Sequence, residues 1–589
     1  MKIIMRILVI SALLLGVAVN HIEGRPWDTY SQNANDINNV IEKHKFSDVT
    51  LNLSCDLCKL LVGMIDDLID ANRTEEEVVV IATQFCITFK IESERVCTLV
   101  TKEFKDELFG TLVGHYISPA EICGSILGDS CAVPYDPASN WTVKLPDTKK
   151  PPVVEPTPPK AGSPELKVLH LSDIHWDRMY QEGANAVCGE PLCCRSNDGK
   201  PTDPANAAGK WGDYRDCDTP KIVIDNLMQH LAQNEKIDFV YVTGDLPAHN
   251  VWNQSRTDQL DILREVADFF VRYLPGIKVY FAVGNHESAP VNSFPPPYVT
   301  GKNSISWLYS VMAETWIDKT NWLPKDTRST IMQGGFYTTV IHPGLRVVSL
   351  NMNFCNDQNW WLQINETDPA GELQWLMNVL QQAEDKKEKV HILGHIPPGS
   401  CAKVWTANYY RIVDRYESTI VAQFFGHTHK DEFELFYDVD TLKRPTNVVY
   451  VGGSVTTYSQ INPSYRVYTV DGNYSGSSWV VLDHATHILN ITEANLTDKP
   501  KWQLEYTAKS AYGMESLLPS DWEKVVQEFK TNDAMFMKYY TYYYKSHVTG
   551  TCDDGCKASM ICSCQSARGG DPSLCNIPAG LKYEERRLC

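Results

Sequence analysis

The 589-residue chain carries a formal net charge of -19, which sets it against a nucleic-acid partner, whose phosphates it would repel. Its length leaves room for two or three domains. Its 18 cysteines, an even number, fit a disulfide framework made in an oxidising compartment rather than a set of catalytic thiols.

At the start of the chain Lys2 and Arg6 precede an apolar core from Ile7 to Val19, followed by polar residues. This is the pattern of a secretory signal peptide, assigned to residues 1–22; a retained anchor is the alternative, although the run is short for a membrane span. No later stretch approaches the ~20 apolar residues of a transmembrane helix. Eight N-x-S/T sequons, at Asn52, Asn72, Asn140, Asn253, Asn365, Asn473, Asn490 and Asn495, agree with passage through the secretory pathway.

Residues 48–134 read as a helical module. Leu57, Leu60, Leu61, Met64, Ile65, Leu68 and Ile69 recur at helical spacing, and further helical runs surround 78–85, 96–109 and 117–126. Cys55, Cys58, Cys86, Cys97, Cys123 and Cys131 frame them, and spacing alone cannot choose their partners. Cys55-x-x-Cys58 also admits a redox motif or a zinc knuckle, and the module admits a purely structural role. The proline-rich stretch 135–164, with PPVVEPTPP, reads as a semi-rigid strap between domains, able to wrap a neighbour's surface.

Residues 165–499 alternate strand-like runs with helices near 220–233, 259–274 and 371–384. Five short apolar, β-rich runs, at 168–171, 239–242, 279–283, 390–393 and 421–425, each lead into metal-ligand residues. These are Asp173 and His175 in SDIH, Asp245 in TGD, Asn285 in GNHE, His395 in GHIPPG, and His427 with His429 in GHTH. Imidazole, carboxylate and amide oxygen suit zinc, manganese or iron, whereas calcium would not recruit four histidines. A carboxylate bridging two ions is needed between the halves of such a site, and Asp245 is the candidate. Past residue 500 the chain turns helical and aromatic, as in AMFMKYYTYYYKSH, read as a helix packing face, and six cysteines lie between Cys552 and Cys589.

The ordered set D-x-H, GD, GNHE, GH, GHTH resembles the calcineurin-like metallophosphoesterase family over residues 165 to 470. The resemblance implies a four-layer αββα sandwich. It gives one ion, with zinc the preferred metal, to Asp173, His175, Asp245 and His429, and a second to Asp245, Asn285, His395 and His427. Ala248 stands where purple acid phosphatases place an iron-binding tyrosine, which speaks against a charge-transfer iron site.

The cysteine spacing of the first module resembles a saposin domain, implying the pairs Cys55 with Cys131, Cys58 with Cys123 and Cys86 with Cys97. Module, strap, metallophosphoesterase and Cys-rich tail in this order resemble the acid sphingomyelinase family, and HWD, GDLPAH, NMNFC and NPSYRVY add to the likeness. By that resemblance Cys188 pairs with Cys193, Cys194 with Cys217, Cys355 with Cys401, Cys552 with Cys556 and Cys562 with Cys575; Cys564 and Cys589 are left open.

The expected protein is therefore α+β: a helical saposin-like domain, a metallophosphoesterase sandwich and a helical disulfide-rich C-terminal subdomain over 500–589. The expected activity is hydrolysis of sphingomyelin, or a related phosphosphingolipid, to ceramide and a phosphorylated head group by a hydroxide activated between two metals. His286 is the expected proton donor and His249 a phosphate-binding or orienting partner, with the two roles exchangeable; Glu287 and Asp177 are expected to orient ligands. The saposin-like domain would touch the membrane transiently, and the protein would act as a monomer, secreted or lysosomal. The rival readings are an extracellular nucleotide phosphodiesterase and an inactive lipid-binding glycoprotein.

Overall fold

A computed structural model describes residues 74–88, 90–111, 118–120, 141–156 and 159–569, with 55, 59, 62, 63, 123 and 575 as single positions. The signal peptide, most of the 57–69 and 117–126 helical runs, and Cys58, Cys131 and Cys589 lie outside the described residues. The chain divides into two compact units, Met1–Pro137 together with Trp252–Gln254, and Ala138–Val251 together with Ser255–Cys589.

In the first unit the helices Glu75–Thr88, Glu94–Glu103 and Lys105–Thr111 bury Val78, Phe85, Val96, Val100 and Leu108. The 96–109 run is broken at Phe104, the C-cap of the second helix. Cys86 and Cys97 form the expected disulfide between the first two helices, and Cys55 and Cys123 each take part in a separate disulfide.

The second unit is built on two six-stranded sheets. The strands are β1 (Glu165–Leu171), β2 (Phe239–Val242), β3 (Lys278–Phe281), β4 (Tyr337–His342), β5 (Leu345–Ser349), β6 (Lys389–Leu393), β7 (Ile420–Phe425), β8 (Glu432–Tyr437), β9 (Pro445–Val451), β10 (Ser464–Asp471), β11 (Val481–Leu489) and β12 (Trp502–Thr507). One sheet runs in the order β12-β11-β10-β1-β2-β3 and the other β4-β5-β6-β7-β9-β8. The continuous apolar runs of the sequence become strands covered on both faces: β2 and β8 are buried at every position.

The two sheets meet through aromatic side chains. The Phe424 ring lies 5.0 Å from that of Tyr241 and 4.8 Å from that of Tyr468, and Tyr337 Oη donates to the Phe281 carbonyl at 2.8 Å. Helices Lys221–Asn234 and Arg256–Tyr273 join the core of the first sheet, and helices Glu372–Lys386 and Lys403–Arg415 cover the outer face of the second, giving the αββα order. The proline-rich strap packs on the last of these helices. Val143 N donates to Asn408 Oδ1 at 2.8 Å, Arg415 to the Thr148 carbonyl at 3.2 Å, and Lys150 pairs with Glu417 at 2.9 Å.

Past residue 500 the sequence reads as helical, but the first element there is the edge strand β12, paired antiparallel with β11; helices begin at Ala508. Its alternation of Trp502, Leu504 and Tyr506 with polar residues has a period of two, a short signal beside the helical aromatic run that follows. That aromatic run is core packing, as expected: helix Asp533–Tyr543 buries Phe536, Tyr539 and Tyr540. All five disulfides expected of the second unit are present, and Cys564 is buried with Sγ 3.3 Å from Tyr539 Oη.

Phe424 is fully buried between the sheets. Phe424→Ala is expected to cost about 3–5 kcal/mol, the usual range for a core Phe truncation, read as a lowered denaturant midpoint with the disulfides intact. An unchanged midpoint would show that the inter-sheet aromatic layer does not hold the sandwich.

Candidate metal centre

Strands β1, β2 and β3 are parallel neighbours in one sheet, and β6, β7 and β9 in the other. Their C-terminal ends therefore share one edge of the sandwich, and the loops leaving them carry the seven candidate ligands. Asp173, His175, Asp245, Asn285, His395 and His429 are wholly inaccessible and His427 nearly so.

The backbone at this edge is unusual. Asp173, His175, Asp245, His427 and His429 all have positive φ, between 40° and 72°. Such conformations cost of order 1–3 kcal/mol each in non-glycine residues and persist only where the surroundings over-determine them. Here they do: Asp173 N donates to the Gly244 carbonyl at 3.0 Å, His175 N to the Asp245 carbonyl at 3.1 Å, and His427 N to Asp173 Oδ1 at 3.0 Å. Gly426 allows the close approach, since a Cβ there would collide with Ser172 Oγ and lie 2.7 Å from Asp173 Oδ2.

The side chains fall into clusters. Asp173, His175 and His429 place ligand atoms within 4.8 Å of one another, as do Asp245, His395 and His427. Asn285 Oδ1 sits 2.9 Å from His395 Nε2 and 3.0 Å from His427 Nδ1, joining it to the second cluster. Asp245 Oδ2 lies 3.1 Å from His395 Nε2 and 3.5 Å from His175 Nε2, between the two.

The donor set fits divalent cations. His175 and His395 use Nδ1 against the carbonyls of Pro247 (2.7 Å) and Thr243 (2.6 Å), acceptors that require an N–H there. In the neutral rings Nε2 is then a lone pair, yet His175 Nε2 faces His429 Nε2 at 3.1 Å, and Asp245 Oδ2 makes no hydrogen bond among the described residues. Converging lone pairs in a dry site call for positive charge. The protein's own charges are strained accordingly. Burial pushes Asp173 up to about 6, with Asp245 adding to it, while Asp245 is held well below the carboxylate range against burial by His395 and His286. His395 is raised to about 9 against burial by Asp245, Asp173 and Glu287.

Two further histidines close the site. His286 is buried, makes no hydrogen bond through either ring nitrogen among the described residues, and is pushed down to about 4 by burial, which outweighs the pull of Asp245. Its ring centroid is 4.9 Å from His175 and 4.6 Å from His249. His249 is fixed more tightly: Nδ1 is 2.8 Å from Asp218 Oδ1, its N–H donates to Asp218 Oδ2 at 2.7 Å, and its ring stacks on Tyr458 at 4.0 Å. Glu287 accepts from the backbone N–H groups of Asp245 (3.2 Å) and Leu246 (2.8 Å), and Asp177 pairs with Arg195 at 3.2 Å; burial raises the two carboxyls to about 7 and about 6.

The structure brings all nine expected site residues to one place and adds residues the sequence reading passed over. Asp218 lies in a cysteine-rich loop with no motif around it. Tyr458 and Thr456, which donates to Asp218 at 3.0 Å, follow β9, whose apolar run ends in Gly452-Gly453. That run has the same form as the other five but gives no sign of a site in the sequence, because no metal-ligand residue follows it directly. NMNFC also gains a reason: Asn353 Nδ2 donates to the Gly284 carbonyl at 3.1 Å, bracing the GNHE turn.

Residues 166–431 match the model of the calcineurin-like phosphoesterases, residues 439–568 that of the acid sphingomyelin phosphodiesterase C-terminal region, and residues 53–88 that of saposin-like type B, region 1. The chain is 47% identical to a sphingomyelin phosphodiesterase of Bos taurus, covering 89% of this chain and 84% of that one. It is 46% identical to the sphingomyelin phosphodiesterase of Homo sapiens, over 91% and 85%. To the cyclic GMP-AMP phosphodiesterase SMPDL3A of Mus musculus it is 31% identical, over 67% and 88%. With identity near one half sustained across most of both sequences, the chain belongs to the sphingomyelin phosphodiesterase family.

Proposed function

We propose that this chain is a metal-dependent phosphodiesterase that cleaves sphingomyelin, or a related phosphosphingolipid, on the lipid side of the phosphate to give ceramide and a phosphorylated head group. The observation that carries the reading is the convergence of seven water-excluded ligand residues at one sheet edge. Kinship with sphingomyelin phosphodiesterases over most of the chain supplies the substrate class.

Asp173, His175, Asp245 and His429 would hold one ion and Asp245, Asn285, His395 and His427 the other, zinc being the metal this mixed donor set suits. Two such ions, when bound, neutralise phosphate oxygens and acidify a water for attack. The remaining work falls to the chain. His286, with both ring nitrogens free of hydrogen bonds among the described residues, delivers the proton that the basic ceramide alkoxide needs on leaving; since burial lowers it to about 4, it carries that proton in acid or once the anionic phosphate lies beside it. His249, locked by Asp218 and Tyr458, orients the phosphate. Glu287 fixes the turn that presents Asp245.

Residues 48–134 act as the saposin-like module that meets the membrane surface, an assignment supported by the match over residues 53–88. No helix among the described residues is long and apolar enough to cross a membrane. The leader-like N-terminal sequence and the disulfides support export, to the lysosome or outside the cell, and the net charge of -19 supports action without nucleic acid; the working form is read as a monomer.

A nucleotide-diester substrate is the second reading, favoured by the likeness to the murine cyclic GMP-AMP phosphodiesterase. The purified protein, assayed on choline- and ethanolamine-headed sphingolipids beside a nucleotide diester, separates the two; turnover of the nucleotide alone would overturn the lipid assignment.

Asp245→Ala is expected to lose both ions, because this carboxylate lies between the two clusters. Metal analysis of the purified variant checks this, and two tightly held ions would refute the shared-ligand assignment. His286→Ala is expected to keep its metal but to lose on the order of 10²-fold or more in rate on natural lipid, the scale of general acid catalysis. An aryl phosphodiester with a good leaving group should lose much less. Equal losses on the two substrates would remove His286 from the donor role, and a leaving-group-selective loss in His249→Ala instead would exchange the two histidines.

A further inference from the structure

The loop after β9 touches the candidate centre at four points. Val455 N donates to the Ser172 carbonyl and Thr456 N to the Asp173 carbonyl, both at 3.0 Å; Thr456 Oγ1 reaches Asp218; and the Tyr458 ring stacks on His249. His429 adds a further link, with Nδ1 3.3 Å from the Tyr458 carbonyl and its own carbonyl accepting from Ser454 N at 3.2 Å. The loop itself is irregular, and Ser459 and Gln460 both have positive φ. Something outside it must fix its course.

That support comes from the segment directly after the tyrosine-rich helix Asp533–Tyr543. Lys545, at 0% exposure, sends Nζ to both the carbonyl and Oγ of Ser454, each at 2.8 Å. A Cβ on Gly453 would lie 2.8 Å from Lys545 Cδ, so the loop closes directly on this side chain. The Lys545 carbonyl in turn accepts from Asn462 Nδ2 at 2.9 Å, at the far end of the same loop. Two residues on, His547 Nδ1 is 2.6 Å from the Gln460 carbonyl and its ring stacks on Tyr214 at 3.6 Å. A lysine withdrawn fully from water is rare unless its hydrogen-bonding groups are answered. Here they are answered by the loop that carries Tyr458.

We propose that Lys545 is a positioning residue for phosphodiester hydrolysis: from the C-terminal helical region it pins Ser454, and through the 454–462 loop it sets the Tyr458 ring against His249. The proposal rests on the phosphodiesterase reading of the site. The hydrogen bonds of Lys545 Nζ go to Ser454; its charge also acts through space on Asp173 and His429, but its positioning effect passes through the loop and depends on Tyr458.

A double-mutant cycle on the full-length protein tests this with an aryl phosphodiester as substrate, alongside metal content and thermal melting. Lys545→Met is expected to lower kcat roughly 10- to 100-fold, the scale of a small misplacement in an active site, with a smaller change in KM. Tyr458→Leu lowers kcat as well, and the double variant is expected to be no slower than the slower single one, since both act on the same ring contact. Independent effects that multiply in the double variant, or wild-type kcat in a folded Lys545→Met protein, would overturn the positioning role. Should Lys545→Met fail to fold, His547→Ala, which alters only a half-buried residue at the loop's other side, is expected to show a smaller kcat loss with the same non-additivity toward Tyr458→Leu; multiplying losses there would overturn it equally. Wild-type protein measured in parallel keeps the two readings apart: hydrolysis by the wild type with multiplying losses discards the role of Lys545 alone.

Discussion

Two carboxylates, Asp173 and Asp245, sit at zero exposure among imidazoles whose proton-bearing nitrogens are already committed to backbone carbonyls. Withdrawing a carboxylate from water costs several kcal/mol unless positive charge answers it. The side chains by themselves answer only partly: Asp173 is driven up to about 6 and His395 up to about 9, two upward shifts that keep protons among groups that face one another. Divalent cations held by these clusters would relieve the conflict, and metal binding would then belong to the energetics of the fold as much as to the chemistry.

The same constraint explains the backbone. Five of the seven candidate ligands occupy left-handed conformations, which no single loop would hold against the steric cost. Each is braced by a neighbour from another strand end: Asp173 by Gly244, His175 by Asp245, Asp245 by Glu287, His427 by Asp173 and His429 by Ser454. Such mutual bracing works only if the strand ends are rigid relative to one another, and the aromatic layer around Tyr241, Phe424 and Tyr468 provides that rigidity. Loss of packing between the sheets would therefore reach the site through the backbone before any ligand side chain is altered.

What was legible in the sequence is what repeats locally. The five β-rich runs ending in ligand residues recovered strands β1, β2, β3, β6 and β7 to within a few residues, because a buried strand advertises itself by unbroken apolar character. The disulfides of the second unit followed from family likeness. What stayed hidden is what depends on distance along the chain: Asp218 is orphaned in a cysteine-rich loop until the fold sets it beside His249, 31 residues later. Tyr458 and Lys545 carry no spacing signal at all. β12 was hidden for another reason: its alternating half-exposed pattern was drowned by the apolar helical stretch behind it.

These hidden residues share a physical situation. Asp218, Tyr458 and Ser454 all lie in irregular segments, where few backbone hydrogen bonds fix a course and where ordering entropy is high. The Cys194–Cys217 bridge ends one residue before Asp218, and Thr457 Oγ1 donates to the Cys217 carbonyl at 3.1 Å, so the cross-link that shortens the first loop also anchors the second. From the other side the 545–547 segment holds the second loop at Ser454, Gln460 and Asn462. The layer beneath the candidate ligands is thus fixed from two directions, by a disulfide-bearing insertion and by the C-terminal helices. It follows that the C-terminal helical region cannot be a detachable appendage of the sandwich, because one of its lysines completes the hydrogen bonding of a loop that contacts Asp173, His429 and His249.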